Sequence, residues 1–151
     1  MNKRSFIKLF FYGFVSLIIP LKKASTLEKR IINPNLTDEQ KKIMFGGGTE
    51  LAGSSILNYE KRKGSYHCAN CNAKLFVSIT KYDSGTGWPS FTDAIPGAFI
   101  TKTDYSHGMT RTAYYCAKCG AHHGHVFEDG PGSTGKRYCN NGLCLIFKPS
   151  S

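Results

Sequence analysis

Hydrophobic and polar residues alternate in short runs over most of this chain. From Gly64 onward, segments rich in β-branched and aromatic side chains are separated by clusters of Gly, Pro, Asn and Asp. These segments cover residues 74–80, 97–103, 110–116, 124–127 and 143–147. No stretch keeps a helical period of comparable length. The pattern therefore predicts a mainly β domain built from antiparallel strands.

A short helical lead-in is predicted before the strands, over residues 25–45. Thr37 is a suitable N-cap, and Asp38 and Glu39 follow it in the first turn, where negative charge stabilises a helix. Three consecutive glycines at 46–48 end the pattern.

The N-terminus has the composition of an export segment. A basic stretch precedes a largely apolar run at 9–19, which is shorter than the roughly 20 residues that span a bilayer and typical of a secretory signal. Residues 3–8 resemble a twin-arginine signal with Lys in the first Arg position, although no clear cleavage site follows. We predict that residues 1–24 direct export to a bacterial periplasm. A membrane anchor and a cytoplasmic leader are the alternatives.

Length and charge exclude several function classes. The chain has 151 residues, enough for one domain, which we assign to residues 25–151. The net charge is +10, but residues 1–30 supply +6 of it. Residues 31–151 carry only +4, so the domain lacks the concentrated basic charge of a nucleic-acid binder. We expect no nucleic-acid partner and a monomeric state.

Four of the six cysteines form two CxxC pairs with the spacing of a metal site. Cys68 and Cys71 make the first pair, and Cys116 and Cys119 the second. Four thiolates form a closed tetrahedral Zn²⁺ site, which leaves no position for substrate and is therefore structural. Two disulfides, which an exported protein could form, and a redox-active CxxC are the alternatives.

Cys139 stands in a different setting and is a candidate nucleophile. It follows Lys136 and Arg137, and nearby cations lower the pKa of a thiol and favour the reactive thiolate. A buried structural cysteine is the alternative interpretation.

Three histidines lie close together ahead of a carboxylate, and they could supply an acid–base group. They are His122, His123 and His125, with Asp129 after them. A second metal site is the competing interpretation. Strict strand alternation would place His123 and His125 on one face and His122 on the other, unless Gly124 introduces a bulge.

Four sequence blocks resemble the type B methionine-R-sulfoxide reductases. They are residues 83–91 (DSGTGWPSF), 106–111 (SHGMTR), 119–127 (CGAHHGHVF) and 137–141 (RYCNN), within a match that covers about residues 35–149. The resemblance implies a β-tent fold, two antiparallel sheets with the Zn²⁺ site away from the active site. It also implies a single catalytic domain over residues 25–151.

The resemblance implies a role for each residue of the site. Cys139 would attack the sulfoxide sulfur and become a sulfenic acid, the first oxidation state of cysteine, which a second thiol must reduce. His122 and His125 would hold and protonate the sulfoxide oxygen through water. Asp129 would orient a histidine, and Arg137 would stabilise the Cys139 thiolate. Asn141 would lie in the same site. Trp88 and Phe127 would form the pocket for the substrate methyl group.

The partners implied are proteins that contain methionine sulfoxide, and a thioredoxin-like or other thiol reductant. The alternative function is a non-catalytic zinc-binding β-tent module that recognises another molecule. In that case Cys139 would be dispensable.

Two positions depart from the family pattern. His123 replaces a residue that is usually aliphatic, and a packed or solvent-facing histidine is the simplest interpretation. Thr86 stands where many members carry the resolving cysteine, which leaves Cys144 as the remaining thiol. A straight strand over 139–147 would keep Cys144 away from Cys139, whereas a hairpin at Asn141-Gly142 would place them opposite each other. Resolution by Cys144 and direct reduction by an external thiol both remain open.

Overall fold

The computed structural model describes residues 27–151. The predicted export segment, residues 1–24, lies outside this range. Among the described residues, no helix has the length and apolar character needed to cross a membrane.

Within residues 27–151, nine strands form two antiparallel sheets, which confirms the predicted mainly β fold. The three-stranded sheet has the order β2-β1-β9 and the six-stranded sheet the order β3-β4-β8-β7-β6-β5. The strands are β1 Gly64–Cys68, β2 Lys74–Val77, β3 Lys81–Tyr82, β4 Ser90–Phe91, β5 Phe99–Asp104, β6 Arg111–Cys116, β7 His122–Phe127, β8 Arg137–Asn140 and β9 Leu145–Pro149. Short 3₁₀ turns cover Ile56–Tyr59, Ser78–Thr80, Ser106–Gly108 and Gly142–Cys144.

The one α-helix in the described part of the chain, α1 Asp38–Gly46, is shorter than predicted. Its N-cap is Thr37 as expected, in a capping box with Gln40, and Gly47 ends it in the left-handed conformation. Residues 27–37 are not helical, and the backbone N–H groups of Ile32 and Asn33 instead donate to the side chain of Asn70, inside the first CxxC pair. The lead-in is therefore an extended strap on the β domain.

Buried aromatic rings fix the two sheets against each other. Tyr66 and Phe76 extend from the three-stranded sheet, and Phe91 and Tyr114 from the six-stranded sheet, and all four are fully buried. The rings of Phe76 and Phe91 stack with centroids 4.0 Å apart, and Tyr66 meets Phe91 edge-on at 4.9 Å. Large aromatic rings bury more apolar area than other side chains, so this contact dominates the core.

A β-bulge in β7 interrupts the alternation of the histidines. Tyr114 of β6 pairs with Gly124 and the next residue, Tyr115, pairs with His122, which leaves His123 as the extra residue. The bulge brings His122 and His125 together, with ring centroids 5.4 Å apart. Strict alternation, which would have separated them, is therefore wrong for this strand.

Gly124 is predicted to be required for the close pairing of β7 with β8. It lies opposite Asn140, and a methyl group at its Cα would overlap the carbonyl oxygen of Cys139. We expect Gly124→Ala to lower the free energy of unfolding by about 3 kcal/mol, measured by chemical denaturation. Gly46→Ala is the control, because nothing lies within 4 Å of that position, and it should change stability by less than about 1 kcal/mol. Equal stability of the two variants would contradict the predicted overlap.

Candidate active site and metal centre

A cavity of about 280 Å³ lies where β7 and β8 meet the loop before β4. Six of the eight residues predicted to catalyse or bind substrate are in its wall: Trp88, His125, Phe127, Arg137, Cys139 and Asn141. Thr49, Thr86, Arg111, Gly124 and Asn140 complete the wall. Of the other two predicted residues, His122 packs against His125 and Asp129 binds Arg137. The structure thus gathers predicted residues that are up to 53 positions apart, from Trp88 to Asn141, into one site.

Cys139 and His125 are directly opposed across the β7–β8 pair. Side chains of directly opposed residues in antiparallel strands project from the same face with Cβ atoms about 5 Å apart. On its other side, Cys139 pairs with Ser90 of β4. The nucleophile candidate is therefore held in the middle of the six-stranded sheet, next to an acid–base candidate.

The pKa of the Cys139 thiol is raised, because burial of the thiolate outweighs the neighbouring cation. Arg137 acts to lower this pKa, as predicted, and the Thr86 hydroxyl acts in the same direction. The carboxylate of Glu50 opposes them. The effect of Arg137 therefore has the predicted direction, but burial has the larger effect on the pKa of Cys139 in the free protein.

Arg137 is held by Asp129 and by an aromatic ring. Its Nε and Nη2 atoms donate to the two Asp129 carboxylate oxygens, each at 2.8 Å. The guanidinium lies over the Phe127 ring, 4.3 Å from the centroid. The predicted contact of Asp129 with a histidine is not found, because its carboxylate is occupied by Arg137.

The carboxylate beside His125 belongs to Asp104, which sequence reasoning missed. His125 Nε2 lies 2.7 Å from Asp104 Oδ2, and the same oxygen accepts from Arg111 Nη2 at 2.8 Å. Hydrogen bonds from Ser106 and from His125 lower the pKa of Asp104, which is therefore ionised. Burial lowers the pKa of His125, and Asp104 opposes that shift.

His122 is buried behind His125 and is neutral near pH 7. Burial lowers its pKa to about 4, and the nearby His125 acts in the same direction. Within residues 27–151 its Nδ1 atom has no hydrogen-bond partner. A neutral ring in this position can orient a neighbour but carries no charge.

Glu50 is a second residue that the sequence did not reveal. Its carbonyl oxygen accepts from the indole Nε1 of Trp88 at 3.1 Å, and its N–H donates to Asn141 Oδ1 at 3.0 Å. Its buried carboxylate accepts from the backbone N–H groups of Gly142 and Leu143, which oppose the rise in its pKa caused by burial. Glu50 therefore fixes both the pocket tryptophan and the loop after the nucleophile.

Cys144 is fully buried and belongs to another part of the fold. A 3₁₀ turn, Gly142–Cys144, separates β8 from β9, and these two strands are in different sheets. Neither the straight strand nor the hairpin considered from the sequence is formed. The Cys144 thiol points to the carbonyl oxygen of His122, at 3.6 Å.

The four CxxC cysteines form a compact cluster that fits a structural metal ion. All are buried, and their sulfur atoms lie within 4.8 Å of one another, with Cys68–Cys119 at 3.8 Å and Cys71–Cys116 at 3.5 Å. A tetrahedral Zn²⁺ with Zn–S bonds of about 2.3 Å requires sulfur atoms about 3.8 Å apart. All six cysteines are in the described range and none forms a disulfide. The alternative of two disulfides is therefore not the observed state.

The two CxxC turns share one backbone design. The first cysteine of each pair accepts a hydrogen bond at 2.8 Å from the residue after the second cysteine, Asn72 or Gly120. These two residues have positive φ angles of 60° and 72°. At Gly120 a side chain would also contact the backbone of Glu28. The matched turns direct the four sulfur atoms to one point between the two sheets.

The contact between Asp104 and His125 predicts that Asp104, and not Asp129, sets the pKa of His125. Because Asp104 raises the pKa of His125, Asp104→Asn should shift the His125 titration to lower pH, followed by NMR of the imidazole ring. Asp129→Asn is the matched control and should leave His125 unchanged. A shift caused by Asp129→Asn alone would restore the original sequence prediction.

Comparison with known proteins identifies the family of this chain. The SelR domain model matches residues 36–149. Peptide methionine sulfoxide reductase MsrB from Pseudomonas putida (strain W619) is 53% identical over 115 residues, which cover 76% of this chain and 86% of that protein. MsrB from Methanosarcina barkeri is 52% identical, over 75% of this chain and 80% of that protein. MsrB from Leptospira interrogans is 51% identical, over 75% of this chain and 87% of that protein. Among solved structures, the Yippee-like domain of Mis18 aligns at 14% identity with a TM-score of 0.49, over 60% of this chain and 99% of that one. The SelR match and the MsrB relatives show that this chain belongs to the SelR (MsrB) family of peptide methionine sulfoxide reductases.

Proposed function

We propose that this protein reduces methionine-R-sulfoxide residues in proteins, with Cys139 as the nucleophile. The observation that carries the proposal is the opposition of Cys139 and His125 across β7–β8, in the wall of a cavity shared with Trp88 and Phe127. A nucleophile, an acid–base group and an apolar surface for a methyl group are the parts that sulfoxide reduction requires.

The first step forms the nucleophile and activates the sulfoxide. Asp104 is ionised, so the His125 Nε2 atom must donate to it, which leaves Nδ1 as the basic nitrogen of the ring. His125 takes the Cys139 proton and delivers it through water to the sulfoxide oxygen, while His122 supports its orientation. This transfer overcomes the raised pKa of the thiol.

The second step transfers oxygen between the two sulfur atoms. The Cys139 thiolate attacks the sulfoxide sulfur and forms an S–S bond to it. The protonated oxygen then passes to the Cys139 sulfur as the substrate S–O bond and the S–S bond break, which leaves Cys139 as a sulfenic acid and releases methionine. The substrate sulfur gains two electrons and the Cys139 sulfur loses two. Arg137 stabilises the negative charge at Cys139, and Asn141 orders the loop beside it.

Trp88 and Phe127 receive the substrate methyl group. The indole is fixed by its hydrogen bond to Glu50, and the Phe127 ring is fixed beneath Arg137. A methyl group next to sulfur packs favourably on aromatic surfaces. With the methyl group and the oxygen in fixed places, a chiral site accepts one sulfoxide epimer.

An external thiol, thioredoxin-like or of another kind, reduces the sulfenic acid. One thiol forms a mixed disulfide with Cys139 and releases water, and a second thiol restores Cys139 and leaves as the disulfide. Thr86 occupies the cavity wall and Cys144 is fully buried, which supports a route without an internal partner.

The ion we propose for the cysteine cluster is one structural Zn²⁺. Cys68 and Cys71 would hold it from the end of β1 and the turn after it, and Cys116 and Cys119 from the end of β6 and the turn after that. The ion would therefore connect the two sheets at a distance from the reacting atoms. Its chemistry here is neutralisation and fixation of four thiolates.

Export remains a proposal that rests on the composition of residues 1–24. Deletion of residues 2–24 should leave the activity of the purified domain unchanged and retain the protein in the cytoplasm. Recovery of the full-length protein in the cytoplasmic fraction would refute it.

Separated sulfoxide epimers test the proposed reaction. With dithiothreitol as reductant, we expect turnover of the R epimer alone, and Cys139→Ser should lower the rate by at least about a thousandfold. Zinc content should be unchanged in that variant, and Cys144→Ala is the control that keeps its activity. Equal turnover of both epimers, or full activity of Cys139→Ser, would exclude the proposal. Absence of turnover of either epimer by the wild-type protein would favour a non-catalytic binding module.

The fate of the oxidised nucleophile is tested by one turnover without reductant. We expect dimedone to label Cys139 and the Cys144 thiol to remain free, because Cys144 is in the core. A Cys139–Cys144 disulfide in the peptide map would contradict this prediction.

A further inference from the structure

His123 lies between the cysteine cluster and the loop that follows the nucleophile. Its side chain is fully buried, and its Nε2 atom is 3.4 Å from the sulfur of Cys68. Its carbonyl oxygen accepts from the backbone N–H of Asn141 at 2.8 Å and from the Asn141 side-chain amide at 3.0 Å. This residue therefore contacts both functional centres of the protein.

The surroundings of the ring determine which nitrogen carries the proton. The Nδ1 atom is buried and makes no hydrogen bond of normal geometry among residues 27–151. Asn140 is near the ring, but its side-chain amide already accepts from Tyr114 and donates to the Asn141 carbonyl. A proton on Nδ1 would be an unpaired buried donor, and the lone pair of Nε2 would then face the electron-rich sulfur. A proton on Nε2 avoids both the unpaired donor and the contact between two lone pairs. The Nε2–H then points to the sulfur as its acceptor, and Nδ1 carries only a lone pair.

We propose that His123 donates its Nε2–H to the Cys68 sulfur and so joins the metal centre to the loop after Cys139. The proposal rests on the proposed Zn²⁺ site, in which Cys68 is a thiolate and a strong acceptor. Hydrogen bonds to ligating atoms orient them and tune the metal, and their loss commonly weakens metal binding 10- to 100-fold. An aliphatic residue at this position cannot make this bond.

The bond continues as a chain of contacts to the substrate pocket. From the His123 carbonyl the chain passes to Asn141, whose Oδ1 accepts from the Glu50 N–H, and the Glu50 carbonyl accepts from Trp88. The ring of His123 also meets Phe99 edge-on, with centroids 5.6 Å apart, which fixes its plane. The metal centre and the pocket tryptophan are therefore held by one connected set of hydrogen bonds.

The wild-type protein gives the first test. In ¹⁵N-labelled protein substituted with ¹¹³Cd, we expect His123 to be the Nε2–H tautomer and its imidazole proton to show scalar coupling to cadmium through the sulfur. The Nδ1–H tautomer would overturn the proposal without any variant having to fold.

Substitutions give the second test, by zinc competition with a chromophoric chelator. His123→Leu keeps the volume but removes the donor, and we expect zinc affinity to fall 10- to 100-fold. His123→Gln places an amide N–H near the Nε2 position and should restore most of the affinity. His107→Asn, in an exposed loop where φ is 57°, is the control and should bind zinc as the wild type does. Wild-type affinity in His123→Leu would overturn the proposal.

The failure of this inference is separable from failure of the proposed reaction. If His123→Leu binds zinc normally and wild-type protein still reduces R-sulfoxides, only the role of His123 is lost. If wild-type protein lacks the activity but His123→Leu loses zinc affinity, the role of His123 at the metal centre holds and the proposed reaction fails.

Discussion

The bulge at His123 is the constraint on which both functional centres depend. One extra residue in β7 reverses the face of the side chains before it. His122 therefore packs against His125 behind the cavity wall, while His123 turns to Cys68. A regular strand would have placed His122 away from its partner. The close approach of Gly124 to β8 keeps this irregular segment paired with the strand that carries the nucleophile.

Charges in the site are paired so that none is isolated in the apolar pocket. Asp104 neutralises Arg111 and orients His125, while Asp129 neutralises Arg137. Burial still raises the pKa of Cys139, so the proposed nucleophile is mainly a thiol in the free protein. Since oxidants react with the thiolate, we propose that this arrangement slows non-productive oxidation of Cys139 and leaves its activation to proton transfer when substrate is bound.

Local features of the fold were predictable because they depend on neighbouring residues. The four later strand predictions match the structure within two residues at each end, Thr37 caps the helix, and the CxxC spacing predicts the cysteine cluster. Asp104 and Glu50 were not predictable, because the site residues that reveal their roles, such as His125 for Asp104 and Leu143 for Glu50, are 21 and 93 positions away in sequence. The sequence pointed to Asp129 and not to Asp104 as the carboxylate beside a histidine for the same reason. Asp104 is recognised only from the pairing of β5 with β6, which places it opposite Arg111 and within reach of His125.

Three neighbouring histidines are proposed to serve two different centres, His122 and His125 the substrate pocket and His123 the metal centre. Histidine-ring NMR tests this division directly. Dimethyl sulfoxide, a minimal sulfoxide with two methyl groups, should be titrated into zinc-loaded protein while the imidazole signals are followed. The account predicts shifts at His125 and His122 that saturate together, with His123 unchanged. A shift at His123 comparable to those two, or no shift at any of the three, would contradict it.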